Sequence, residues 1–334
     1  MNVYDKEYKG MTLRLGFAVL LMFVLLQVLM TLLGLAQIVF YSVVNEKIAN
    51  LLYWGLYNVF YFASFMLPVP FFALISAKKQ TEKMFFAPNF GKDFFLLAIA
   101  TVGIITAVGQ VNSLLLAPFS GESSSTDILL ELIAPDKGYM VVLVFIMLVI
   151  VPPFCEEFLF RGLVLGNLLP YGKGVAIVGS ALLFGAMHQS YSQFLYTVAA
   201  GILLGALYVE SRSIWPSTIV HMLNNMLSFA QMIIVARVQD QMLANRIVIC
   251  MNLAVIFAGL LCLVILVLKR RAKADSFDQS RSLFGVTPER WQFEQPRELS
   301  PGVAVRGFFS PSIIVFIGLS LVMAMLNLLL EHLA

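Results

Sequence analysis

The chain has 334 residues, of which 60% are hydrophobic and 12% charged, and its mean hydropathy is +0.88. Soluble domains carry about 25% charged and roughly 45–50% apolar residues, so a soluble enzyme, a disordered chain and a secreted disulfide scaffold are all excluded. The net charge of +3 gives no footprint for nucleic acid, and Cys155, Cys250 and Cys262 lie in apolar segments without CxxC spacing, which argues against a thiolate metal site.

A membrane span needs about 20 apolar residues without charge. In chain order the sequence predicts spans at 15–43, 49–77, 94–118, 139–160, 174–190, 193–210, 214–236, 247–268 and 310–330. The fold class expected is therefore all-α, a polytopic transmembrane helix bundle of eight to nine spans with a polar catalytic cavity in its core. The first stretch is too long for the apolar core of a signal peptide and lacks a small-residue cleavage site, so it reads as a retained helix. The fifth is short, which leaves eight crossings, or one re-entrant segment, as the alternative to nine. Residues 1–138 hold three spans and their loops, 139–236 the polar core, and 237–334 the last spans with the segment 269–309.

With nine crossings and a cytoplasmic N-terminus, all the lysines and arginines except Lys47, Lys137, Arg237 and Arg246 fall on the inner side. That bias fixes the expected orientation. The loop 119–137, with Glu122, Asp127, Glu131 and Asp136, then faces outward. The segment 269–309 opens with Lys269-Arg270-Arg271-Ala272-Lys273 and carries Trp291, Phe293, Phe308 and Phe309. It reads as a basic stretch held against anionic headgroups with its aromatics at the interface. A partner-binding or catalytic loop is the rival reading.

Ionisable side chains inside spans are costly and mark function. Here they gather between residues 156 and 225: Glu156, Glu157 and Arg161 in the fourth span, His188 in the fifth, and His221 with Asn225 in the seventh. Glu157 and Arg161 are four apart and share a helix face, as do His221 and Asn225. Pro152-Pro153 just before the acids predicts a kinked or broken helix, either as a packing feature or as an opening to water. Each element alone has a plain structural reading: an ion pair, a satisfied histidine, a helix-bonding amide. Together they point to one polar cavity. Gly162-x-x-x-Gly166 and Gly201-x-x-x-Gly205 read as close helix packing. Cys155 points about 100° away from Glu156 on a helix, and no GxSxG occurs, so thiol and serine catalysis are disfavoured. Depth is discordant: at ~1.5 Å per residue from the inner boundary, Glu156 and His221 lie about 10 Å deep and His188 about 20 Å.

The pattern Glu156-Glu157-Phe-Leu-Phe-Arg161 (EExxxR), Phe184-Gly-Ala-Met-His188 (FxxxH) and His221-Met-Leu-Asn-Asn225 (HxxxN) resembles the CPBP family of intramembrane proteases, the CAAX prenyl endopeptidases and their Abi-type relatives. The resemblance covers 139–236. It implies an intramembrane endopeptidase that cuts a membrane-embedded or prenylated peptide or protein. In that reading Glu156 is the general base, helped by His188; His221 and Asn225 form the oxyanion hole; Glu157 and Arg161 support the architecture. A desolvated glutamate is a competent base, and an imidazole and a carboxamide are suitable oxyanion donors. No cofactor is favoured, but Glu156, His188 and His221 are also a hydrolytic zinc set, and that alternative stays open. A proton-coupled transporter using the same groups as a relay, and a non-catalytic immunity or scaffold protein, are the rival functions. The chain lacks the paired halves usual in transporters.

Overall fold

The computed structural model describes residues 2–76, 86–116, 129–274, 297–300 and 302–333. The described residues form helices and connecting turns, with no strand among them. In chain order the helices are α1 (Val3–Val43), α2 (Glu46–Met66), α3 (Pro68–Ile75) and α4 (Phe94–Leu116). A long broken helix, α5 (Pro135–Tyr171), comes next. Then follow α6 (Lys173–Met187), α7 (Tyr191–Ser211), α8 (Ile214–Arg237), α9 (Gln241–Ala274), α10 (Val303–Phe308) and α11 (Pro311–Leu333). Eight helices are long and apolar enough to cross a bilayer, and α6, at 15 residues, is a shorter apolar helix. The chain is thus an integral membrane bundle.

Local sequence explains the punctuation. α1 starts in a capping box, in which Asn2 Oδ1 accepts from the Asp5 N–H and Asp5 Oδ2 from the Asn2 N–H, both at 2.8 Å. Pro68 cannot continue the hydrogen-bond ladder of α2 and restarts the chain as α3. Gly172, at φ +130°, makes the turn between α5 and α6, a conformation that excludes a side chain. The turn from α7 to α8 is buried: Ser211 and Ser213 are fully covered, Arg212 sits in the left-handed region, and Asn89 Nδ2 donates to the Ser211 carbonyl at 2.7 Å.

Contacts at the helix ends sort the bundle into two poles. At one, Asp5 meets Ser300, Tyr171 meets Arg297, Asn89 meets Ser211 and Lys269 meets Asp93. At the other, Tyr41 meets Asn50, Lys137 meets Glu46 and Glu131, and Arg237 Nε donates to the Ile133 carbonyl. α6 runs from the first pole towards the second, antiparallel to α7. The helices thus alternate in direction, although α6 is only about 22 Å long at ~1.5 Å per residue and is not among the eight candidate spans.

The seam between α6 and α7 is the predicted small-residue stripe. A Cβ on Gly201 would lie 3.0 Å from the Ala181 backbone, and one on Gly205 3.4 Å from the Ile177 side chain. A second such contact, Gly103 of α4 against Gly259 of α9, had no motif to announce it: a Cβ on Gly103 would meet the Gly259 Cα at 2.6 Å. One hydrophobic cluster contains Tyr8 of α1, Phe65 of α2, Phe160 of α5, Phe184 of α6 and Phe316 of α11. Helices α5 and α6 are thus cased by the first and last spans.

Two expectations are corrected here. The fourth span does not end at residue 160; the helix continues to Tyr171. Arg161 is fully buried inside it and is no inner-loop cation. Phe308 is not an interfacial aromatic. It is 5% exposed and packs on Gly179 of α6, where the absence of a side chain makes room for its ring. Trp291 and Phe293 lie outside the described residues.

Candidate active site

The site is built on α5, whose hydrogen bonding is interrupted twice. The segments Ile146–Ile150 and Phe158–Leu165 are wound as π-helix, and they bracket one α-helical stretch, Val151–Glu157, that carries both acids. π-Turns occur mostly as local insertions at functional sites. The proline pair has a specific consequence here. The donors that would bind the Leu148 carbonyl in an α- or a π-ladder are the N–H groups of residues 152 and 153, and both are proline. The carbonyl left over accepts from Asn225 Nδ2 of α8 at 2.9 Å. The kink thus creates an anchor for a motif residue on another helix.

Glu157 and Arg161 are both fully buried, and Arg161 NH1 stands 3.1 Å from Glu157 Oε1. The guanidinium also lies 4.5 Å from the centroid of the Phe184 ring, and NH2 reaches the Gly201 carbonyl at 3.4 Å. The same Glu157 Oε1 is 3.1 Å from Nδ1 of His221. The other nitrogen of that ring, Nε2, is 3.7 Å from Oε2 of Glu156. His221 therefore stands between the two carboxylates. The remaining Glu156 oxygen, Oε1, accepts a 2.6 Å hydrogen bond from the Tyr61 hydroxyl of α2.

His188 ends α6. Its Nδ1 lies 2.9 Å from the Phe184 carbonyl, an acceptor, so the proton of the neutral ring sits on Nδ1 and Nε2 carries a lone pair. The Phe184 ring touches both histidines, with centroids 4.9 Å from His188 and 5.8 Å from His221. Glu156, His188, His221 and Asn225 all line one cavity of about 540 Å³. Glu157 and Arg161 stand behind it.

The extra turns of α5 remove the discordance in depth. Glu156 precedes the Gly172 turn, and His188 follows it, by nearly equal lengths of helix, about 22 Å each at ~1.5 Å per residue. His221 reaches the same level from a shorter run because the α7–α8 turn is sunk into the bundle.

Tyr61 was not among the residues expected from the sequence. The signal available was weak: a hydroxyl within an aromatic stripe of α2, where Tyr57, Tyr61 and Phe65 stack at helical spacing. A buried phenol needs a partner, but nothing in the sequence names Glu156 as that partner.

Among the described residues no three His, Cys, Asp or Glu side chains stand grouped as a set of metal ligands. His221 Nδ1 is directed at Glu157 and His188 Nδ1 at a backbone carbonyl, which leaves Nε2 as the remaining nitrogen of each ring. The oxyanion pair is also modified: the Asn225 amide already spends one N–H on Leu148.

The cluster thus sets two carboxylates, Glu156 and Glu157, against the Arg161 guanidinium and the His221 ring.

Comparison with curated proteins and with solved structures gives no match. A family model does match, over residues 138–227, and is described as type II CAAX prenyl endopeptidase Rce1-like. That stretch, a little over a quarter of the chain, contains both acids, Arg161, both histidines of the cavity and Asn225, and over it the chain is similar to the CAAX protease-like membrane proteins.

Proposed function

We propose that the protein is an intramembrane endopeptidase that hydrolyses a peptide bond of a membrane-associated, prenylated substrate, with Glu156 activating the water and the pole that gathers Asp5, Lys269 and Arg297 in the cytoplasm. The observation that carries this reading is the arrangement of a carboxylate, held by Tyr61, and a histidine, held by Glu157, on the wall of one cavity. Glu156 takes a proton from water as the water oxygen adds to the scissile carbonyl. A proton on His221 Nε2 and the second N–H of Asn225 receive the oxyanion. Glu156 then gives its proton to the leaving nitrogen, the C–N bond breaks, and acid and amine products result. His188, with a lone pair on Nε2, orients the water. Glu157 and Arg161 position His221 and do no chemistry. This reading uses no metal.

The Glu156→Gln substitution tests the reading in proteoliposomes with a farnesylated, internally quenched CAAX peptide. A general base contributes about 10²–10⁴-fold, so cleavage falls at least 100-fold while thermal unfolding in detergent is unchanged. Cleavage at the unsubstituted rate would overturn the assignment.

A further inference from the structure

The turn from α6 into α7 directly follows His188, and its first residue, Gln189, is tied to two helices that carry none of the motifs. Gln27 of α1 donates from Nε2 to Gln189 Oε1 at 2.9 Å, and Asn327 of α11 donates from Nδ2 to the Gln189 carbonyl at 3.2 Å. Both donors lie far outside the stretch that matches the family model. Carboxamides on spanning helices are costly unless paired, and here two from separate spans converge on one residue.

The backbone of Gln189 narrows the reading. Its φ is 49°, in the left-handed region, where any Cβ is crowded. At a helix end glycine is the common solution, and it would make the same turn. What glutamine adds is the side chain that Gln27 meets. A residue in so sparse a conformation persists where its surroundings over-determine it, and such residues gather at active sites.

The bearing on His188 follows from how its ring is fixed. Its Nδ1 bonds to the Phe184 carbonyl, four residues earlier in the same helix, and its ring meets the Phe184 ring edge to face. The imidazole therefore moves with the last turn of α6. That turn has tightened to three-residue steps, with His188 N–H donating to the Gly185 carbonyl and Gln189 N–H to the Ala186 carbonyl, each at 3.2 Å. α7 packs on it through Gly185, where a Cβ would lie 2.4 Å from the Val198 side chain. From α1 and α11 the two carboxamides hold it. We infer that Gln27 and Asn327, acting through Gln189, are positioning residues that keep Nε2 of His188 at the cavity wall. The consequence for hydrolysis rests on the endopeptidase reading, whereas the mechanical coupling to the ring does not.

Gln27→Leu and Asn327→Leu each remove one hydrogen bond from the turn. In proteoliposomes with the farnesylated, quenched peptide, each lowers kcat about tenfold and leaves KM within about twofold, since a misplaced group costs rate rather than binding. In a His188→Ala protein the same substitutions lower kcat by less than about twofold, because the residue they act through is gone. Deuterium exchange at the ring C2 position of His188, read by mass spectrometry in nanodiscs, speeds up about threefold or more in both variants as the turn loosens. Should a leucine variant unfold, Gln189→Gly takes its place, for it keeps the left-handed turn and deletes the contact with Gln27. Equal losses of kcat with and without His188, or an unchanged kcat in folded variants, overturn the positioning role and leave the amides as a bond between helices. Unchanged ring exchange overturns it as well, and decides alone if His188→Ala abolishes cleavage. Ring exchange that responds in a protein that never cleaves the peptide removes the peptidase reading alone. Cleavage with rate and exchange indifferent to the substitutions removes the positioning role alone.

Discussion

Tyr61 is the residue whose removal separates positioning from fold. Its hydroxyl holds one oxygen of Glu156, and a hydrogen bond to a charged group is worth about 1.5–3 kcal/mol. Tyr61→Phe keeps the stacked rings of α2 and deletes only that bond. Peptide cleavage should then fall roughly 10- to 150-fold in kcat with KM unchanged, as the carboxylate loses its fixed direction. A kcat equal to that of the unsubstituted protein would mean that Glu156 is oriented by other means. At this scale the sequence was informative where neighbours in space were also neighbours on a helix face, as with Glu157 and Arg161. It was silent where contact crossed helices: Tyr61 and Glu156 are 95 residues apart. The misplaced end of α5 has the same root. A charge normally marks where a span leaves the bilayer, but Arg161 is matched by Glu157 inside the bundle, so counting charges cut the helix short by three turns.

At the scale of the helix, the proline pair does more than bend α5. Pro in a helix interior costs about 3 kcal/mol, and here it frees the Leu148 carbonyl that Asn225 uses. Pro152→Ala would restore a backbone donor four residues after Leu148, so the carbonyl would be claimed within α5 and Asn225 released. The expected result is a protein that melts at a higher temperature in detergent and cleaves at least tenfold more slowly. A gain in stability with full activity would show that Asn225 needs no anchor. The dipeptide was visible in the sequence, and its kink was expected. Its partner was not, because a freed carbonyl has no signature of its own. The glycine contacts divide in the same way: Gly201 and Gly205 formed a readable repeat, whereas Gly103 and Gly259 are lone glycines on helices far apart in sequence.

At the scale of the molecule, the stretch after residue 296 straps the basic pole. Asp5 accepts from the Ser300 N–H at 3.0 Å and its hydroxyl at 2.7 Å, Arg297 meets Glu7 and Tyr171, and Phe308 plugs into α6. Asp5→Ala leaves Ser300 unmatched and opens the capping box of α1. The loss is about 1–3 kcal/mol, and it appears as faster hydrogen exchange across 297–309 and a lower melting temperature. Exchange unchanged in that segment would mean that the strap is held by Phe308 alone. The all-helical architecture and its pole-to-pole alternation were legible from composition and the spacing of apolar runs. The strap was not, because a basic, aromatic stretch is equally suited to lipid and to protein.

The wholly enclosed Arg161 has a consequence for biogenesis. An arginine at the centre of a helix raises its insertion cost by about 2.5–3.5 kcal/mol, and α5 leaves the ribosome with only Glu157 to offset it. His221, which closes the far side of that acid, is made 64 residues later. At ~5–20 residues per second that is a delay of roughly 3 to 13 s. During this interval the nascent helix must be sheltered by the insertion machinery, and the cluster of Glu157, Arg161 and His221 cannot yet exist. On the proposed endopeptidase reading, newly made membrane segments beside the translocon are thereby spared from cleavage until the second histidine arrives.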